Sequence, residues 1–139
     1  MHLRPFSPAD EASVIQLWND CGLTRPWNDP AKDIARKLTV QPEMFLVGEA
    51  DGAIIASAMF GFDGTRGWVH YLAVAPGRQG ESIGRAIMAE GERMLTAMGC
   101  PKINLQVRAG NERVIGFYRA LGYADDDTVS YGKRLIPDV

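Results

Sequence analysis

Residues 74–88, VAPGRQGESIGRAIM, read as the end of a strand, a turn of small residues and the first turns of a helix. Such a junction leaves backbone N–H groups unpaired at the head of the helix, and the helix dipole draws an anion to them. The candidate donors run from Gln79 through Gly80, Glu81, Ser82, Ile83 and Gly84 to Arg85. Gly80 permits a tight turn and Gly84 a close approach. The segment lacks the lysine of a P-loop and the G-x-G-x-x-G of a dinucleotide fold. By itself it fits an anion cradle and an ordinary strand-to-helix turn capped by Ser82 equally well. Glu81 places a like charge beside any anion; solvent and salt screen it, and Arg78 and Arg85 offset it. Upstream, His70 in WVHYLAVA carries a side chain whose usual pKa suits proton transfer near neutrality. Strand alternation puts it on one face with Leu72 and Val74, with Tyr71 on the other. It is there either a base or a half-buried, satisfied histidine.

The spacing of apolar residues outlines the elements that must position these groups. HLRPF (2–6) predicts a short first strand. SPADEASVIQLWNDCG (7–22) predicts a helix with Ser7 as cap, Pro8 at its first position, and Val14, Leu17, Trp18 and Cys21 in one stripe. The prolines of LTRPWNDP (23–30) make a loop, and AKDIARKL (31–38) is a second short helix with Asp29 as cap and Pro30 at its first position. From Met44 the period becomes that of strands. MFLVGEA (44–50) and AIIASAMFGF (53–62) flank Asp51-Gly52, a type I′ hairpin signal, and WVHYLAVA (68–75) is the third strand of an antiparallel meander. A helix follows over 82–98, with Ile83, Ile87, Met94, Leu95 and Met98 on one face. KINLQVR (102–108) is then a strand with a parallel partner, NERVIGFYRALG (111–122) a last helix, and DTVSYGKRLI (127–136) a final strand. The expected fold is α/β: a mixed, mostly antiparallel twisted sheet of six to seven strands with helices on both faces.

At 139 residues this is one domain, 1–139, with no linker, repeat or low-complexity stretch. A net charge of -2 removes the basic field expected of a nucleic-acid binder. No apolar run approaches the roughly 20 residues of a membrane span, and the polar N-terminus is not a secretory signal, so the expected setting is cytoplasmic. Cys21 and Cys100 are far apart and form no CxxC, and no His or Cys cluster offers a metal site. An exposed sheet edge leaves monomer and homodimer both open.

Two motifs in order resemble the GNAT superfamily of acyl-CoA-dependent N-acyltransferases, closest to its small bacterial YpeA-type members. YLAVAP running into Gln79-x-x-Ser82-x-Gly84 is similar to that family's pyrophosphate loop, with Ser82 where the family often has glycine. NERVIGFYRALGY (111–123) is similar to its Asn-x-x-Ala-x-x-Phe-Tyr-x-x-x-Gly-Phe/Tyr motif, and the likeness extends over nearly the whole chain. The resemblance implies acetyl-CoA as co-substrate, with its pyrophosphate on the N–H groups of residues 79–85. Its pantetheine would lie between splayed strands lined by Leu72, Ala73 and Val74, with Asn111 on the opposite wall. It implies that Tyr118 protonates the departing thiolate, although spacing alone also places Tyr118 in an apolar stripe with Val114 and Leu121. A backbone N–H near Val74 would face the developing oxyanion.

The family's frequent glutamate base has no counterpart in WVHYLAVA, leaving His70 or a water chain for the role. The acceptor amine would enter a pocket formed by the LTRPWNDP loop and the second helix, where Trp27 could wall the pocket, Arg25 grip a carboxylate and Asn28 or Asp29 orient the amine. The resulting expectation is an N-acetyltransferase acting by direct transfer on a protein N-terminus, a lysine or a small-molecule amine. The alternative is a non-catalytic acyl-CoA-binding sensor or regulatory domain.

Overall fold

The computed structural model describes all 139 residues. Five strands form one sheet in the order β1 (His2–Pro5), β2 (Phe45–Ala50), β3 (Ala53–Phe62), β4 (Gly67–Val74) and β5 (Ile103–Asn104). The first three pairings are antiparallel and the last is parallel. The β2–β3 hairpin turns at Asp51 and Gly52 with φ of 53° and 78°, the double positive φ that a type I′ turn requires.

Helices cover both faces. On one face α1 (Glu11–Asp20) and α2 (Pro30–Lys37) bury Val14, Leu17, Trp18 and Ile34 against Phe45, Val47, Met59 and Ala73. On the other, α3 (Ile83–Ala97) and α4 (Glu112–Ala120) bury Ile83, Ile87, Met88, Leu95 and Tyr118 against Leu46, Ala56, Ala58, Phe60 and Val69. The sequence explains the helix starts. Asp29 caps α2, accepting from the Ala31 N–H at 3.0 Å, with Pro30 next. Ser7 and Pro8 instead open a single 3-10 turn that leads into α1.

One expected strand is shortened and another does not form, giving five strands in place of six to seven. Of KINLQVR only Ile103 and Asn104 pair with β4, opposite Gly67 and Trp68, and beyond them the two strands part. The segment 127–136 forms no ladder, and Val129, Tyr131, Leu135 and Ile136 are exposed. It lies beside the continuation of β5 through side chains: Asp126 takes Lys102 and Asn104, and Gln106 donates to Ser130. These are side-chain contacts only, with no backbone ladder, so the expected final strand does not form.

The chain end is tied down at Asp138, whose side chain is 1% exposed. Its carboxylate accepts from the Asp29 N–H at 2.9 Å and from Arg36 at 2.7 Å, while the Lys32 ammonium reaches its carbonyl at 2.6 Å. Arg36, followed by the Asp29 N–H, holds this carboxyl down at about 2. Its folded pKa lies below the ordinary value near 3.9. The stabilisation is therefore complete above about pH 4 and lost as pH falls toward 2. Asp138→Asn is expected to lower the melting temperature by several degrees at pH 6. That deficit should shrink as thermal scans approach pH 2; a deficit independent of pH would mean that charge is not what anchors the tail.

Candidate active site

At the head of α3 no backbone N–H from Gln79 to Arg85 finds an acceptor in the chain; the first to do so is Ala86, on Ser82 O at 3.1 Å. Seven consecutive donors at a helix N-terminus are the structural signature of an anion cradle. The backbone conformation explains it. Gly80 has φ 88°, and Ser82 is left-handed at φ 62°, with its hydroxyl capping nothing. A non-glycine residue in this region costs about 1–2 kcal/mol. Glu81 pairs outward with Arg78 at 3.7 Å, and Arg78 also reaches Asp51 at 3.5 Å. Arg113 of α4 donates to Gln79, bringing a further cation to the rim. Gly84 meets α4: a Cβ there would come within 3.0 Å of the Phe117 ring.

The cradle stands at the end of a strand with a free edge. Pairing between β4 and β5 covers only Gly67 with Ile103 and Trp68 with Asn104, so from Val69 to Val74 the edge of β4 away from β3 carries no ladder. Ala75 donates to Ile55 O at 2.8 Å, on the β3 side. Period-two alternation therefore turns the Val74 N–H to the free edge. The unpaired N–H groups at the head of α3 and the free edge of β4 leading to them fit a diphosphate with an amide-bearing arm.

β4 is also irregular along this stretch. Ser57 faces Ala73 and Met59 faces His70, so Tyr71 and Leu72 together oppose Ala58: a β-bulge. Tyr71 sits at φ 55°, a conformation that costs a bulky residue about 1–3 kcal/mol. Three contacts hold it there. Its ring stacks on Trp18 at 3.9 Å between centroids, and its hydroxyl donates to Asp33 at 2.5 Å. Its carbonyl accepts from Ser57 at 2.9 Å, and Ser57 is itself bonded by the Trp18 indole N–H at 2.8 Å.

The bulge also overturns the alternation argument for His70. Leu72 and Val74 pack with the α3 face, whereas His70 lies opposite Met59 on the α2 face with Tyr71 and Ala73. There His70 opens onto a cavity of about 590 Å³ whose walls include Asn28, Asp33, Lys37, Met59, Trp68 and Tyr71. Partial desolvation by these walls lowers the imidazole pKa; Asp33 opposes that effect and Lys37 adds to it.

Tyr118 is 9% exposed, and its hydroxyl makes no hydrogen bond in the chain. It borders a second cavity, of about 1070 Å³, with Leu105, Gln106 and Val107. Burial pushes the phenol up to about 12. Asn111 caps α4, accepting weakly from the Val114 N–H at 3.4 Å.

Among the residues expected to meet the acceptor, only Asn28 lines the smaller cavity, and its side chain accepts from Arg134. Arg25 turns back onto the carbonyls of Gly22 and Thr24, and Trp27 is 52% exposed outside the cavity. Asp33, Lys37 and Trp68 stand on the wall without having been singled out. The four-residue spacing of Asp33 and Lys37 around the buried Ile34 was the signal available for α2.

Comparison with known proteins identifies the family. The Acetyltransferase (GNAT) family model matches residues 12–123. An acetyltransferase of Yersinia enterocolitica is 49% identical over 138 residues, covering 99% of this chain and 98% of the relative. The chain belongs to the GNAT acetyltransferase family. Its fold is also that of AAC(6')-Iy in complex with the bisubstrate analog CoA-S-monomethyl-acetylneamine, with TM-score 0.79, 15% identity and coverage of 97% and 98%. A third likeness is to the ribosomal-protein-S18-alanine N-acetyltransferase of Escherichia coli, with TM-score 0.71, 21% identity and coverage of 87% and 76%. Those two proteins have unlike acceptors, so the GNAT fold as such does not choose one.

Proposed function

We propose that this acetyltransferase moves an acetyl group from acetyl-CoA to a primary amine by direct transfer. The observation that carries the reading is the run of seven unpartnered N–H groups from Gln79 to Arg85 at the end of the free β4 edge. These donors receive the coenzyme diphosphate, with Arg78, Arg85 and Arg113 as the surrounding cations. The thioester supplies an activated acetyl carbon. Along the cleft the Val74 N–H faces the carbonyl oxygen on which negative charge grows. The amine approaches from the opposite face of the sheet, through the cavity that His70 borders. A lysine-like amine arrives protonated at neutral pH, and His70, kept neutral by its surroundings, accepts its proton directly or through water. Tyr118 returns a proton to the leaving thiolate.

Thermal scans with acetyl-CoA, free CoA and ADP test the cradle, since a ligand bound only to the native state raises the melting temperature. Both CoA species should stabilise the protein. Ser82→Gly relieves the left-handed strain, and we expect the unliganded variant to gain about 1 kcal/mol while keeping the CoA-induced shift. Absence of any shift at concentrations well above cellular ones sinks the acetyl-transfer reading. A shift without amine-dependent thiol release marks a sensor.

A further inference from the structure

The charges around the smaller cavity are unequally matched. Arg36 lies between Asp33 at 3.1 Å and Asp138 at 2.7 Å, so it is neutralised twice over. Asp33 spends its second oxygen on Tyr71. Asp63 stands at the exposed rim, folded back on its own turn: one carboxylate oxygen accepts from the Thr65 and Arg66 N–H groups, each at 2.8 Å. Lys37 differs from all of these. Its half-buried ammonium donates to the Phe60 carbonyl at 2.5 Å and to nothing else, and no carboxylate lies within ion-pair distance. An ammonium carries three donors. The ammonium is seated over Gly61, where a Cβ would stand 3.5 Å from Nζ. Burial lowers the Lys37 pKa, and the Glu43 carboxylate, too far for an ion pair, opposes it only in part.

We propose that the acceptor is a small amine that also carries a carboxylate, a free amino acid, and that Lys37 receives that carboxylate. This rests on the acetyl-transfer reading above. Lys37 stands on the same cavity as His70, close enough that its charge helps to keep the imidazole neutral, so a small acceptor can set its nitrogen at His70 and its carboxylate at Lys37. A polyamine or an aminosugar would set a second cation beside Lys37. A peptide N-terminus would offer it only a neutral carbonyl.

The test is steady-state thiol release from acetyl-CoA with matched acceptors: α-, β- and γ-amino acids, their primary amides and their decarboxylated amines. CoA binding is checked first by thermal shift on every variant. We expect the best acid to have a KM at least about ten-fold below that of its amide, in line with a charge-assisted hydrogen bond. Lys37→Met should raise the acid KM about ten-fold and leave the amide unchanged; Lys37→Arg should keep the preference. A Lys37 that merely braces α2 on β3 would change acid and amide alike. Equal use of acid and amide, or a preference that survives Lys37→Met, overturns the proposal. If CoA binds and only amines or amides react, or no acid reacts, the proposal falls while acetyl transfer stands. If CoA does not bind, both fall.

Discussion

Tyr118→Phe is expected to lower kcat about 100-fold at pH 7, close to 2.7 kcal/mol of barrier, and to leave the CoA-induced melting shift unchanged. The two effects separate because the ring and the hydroxyl are held differently. The ring is fixed edge-on between Phe117 at 5.1 Å and Tyr123 at 5.6 Å, and it belongs to the core of the α3 face. The hydroxyl has no partner in the chain, so its removal leaves no orphaned donor or acceptor and little should happen to folding. With its pKa at about 12, the phenol keeps its proton across the working range, as an acid must. It adds no falling limb to the rate below pH 10. Tyr123→Phe is the matched control: its hydroxyl donates to Glu92 at 2.6 Å, so that change acts on stability rather than on rate. Full activity in Tyr118→Phe would return Tyr118 to the apolar stripe and leave the thiolate to solvent protons.

The cradle was legible because its determinants are local. Gly80, the small residues before α3 and the helix start all lie within a dozen positions, and they act through backbone geometry alone. The β-bulge was not. Nothing about an aromatic at position 71 favours positive φ; the conformation is imposed by Trp18, Asp33 and Ser57, which reach Tyr71 from three other elements. Because the bulge adds one residue, period-two counting assigned His70 to the face of Leu72 and Val74, whereas it lies on that of Met59. The final strand failed for a related reason. Alternation in DTVSYGKRLI describes a side-chain pattern, but a strand also needs a ladder partner, and Asp126 and Ser130 meet the β5 segment through side chains instead. Of Arg25, Trp27 and Asn28 in LTRPWNDP only Asn28 reaches the cavity, and the second helix, expected as part of its wall, supplies Asp33, Arg36 and Lys37, which were not singled out.

Gly91→Ala should destabilise the protein even though helix propensity argues the reverse. Gly91 lies in the interior of α3, where alanine is intrinsically favoured by about 1 kcal/mol. The sheet decides otherwise. A Cβ on Gly91 would overlap the Phe60 ring, which is 0% exposed and packed within the main core cluster. Neither group can yield without moving its element, and overpacking of this kind costs about 1–3 kcal/mol. The overlap with the ring is deep and the cost lies at the upper end of that range, so a net loss of up to about 2 kcal/mol remains, enough to lower the melting temperature by several degrees. The same displacement reaches the site from both ends. Tilting α3 shifts the N–H groups at its head, so the variant's CoA-induced stabilisation should shrink as well. Moving Phe60 also disturbs the carbonyl on which Lys37 rests. Thermal scans of wild type and Gly91→Ala, each with and without CoA, read both effects at once. A melting temperature that rises on substitution would show that α3 can slide over β3, and that the close approach at Gly91 is not what aims the cradle.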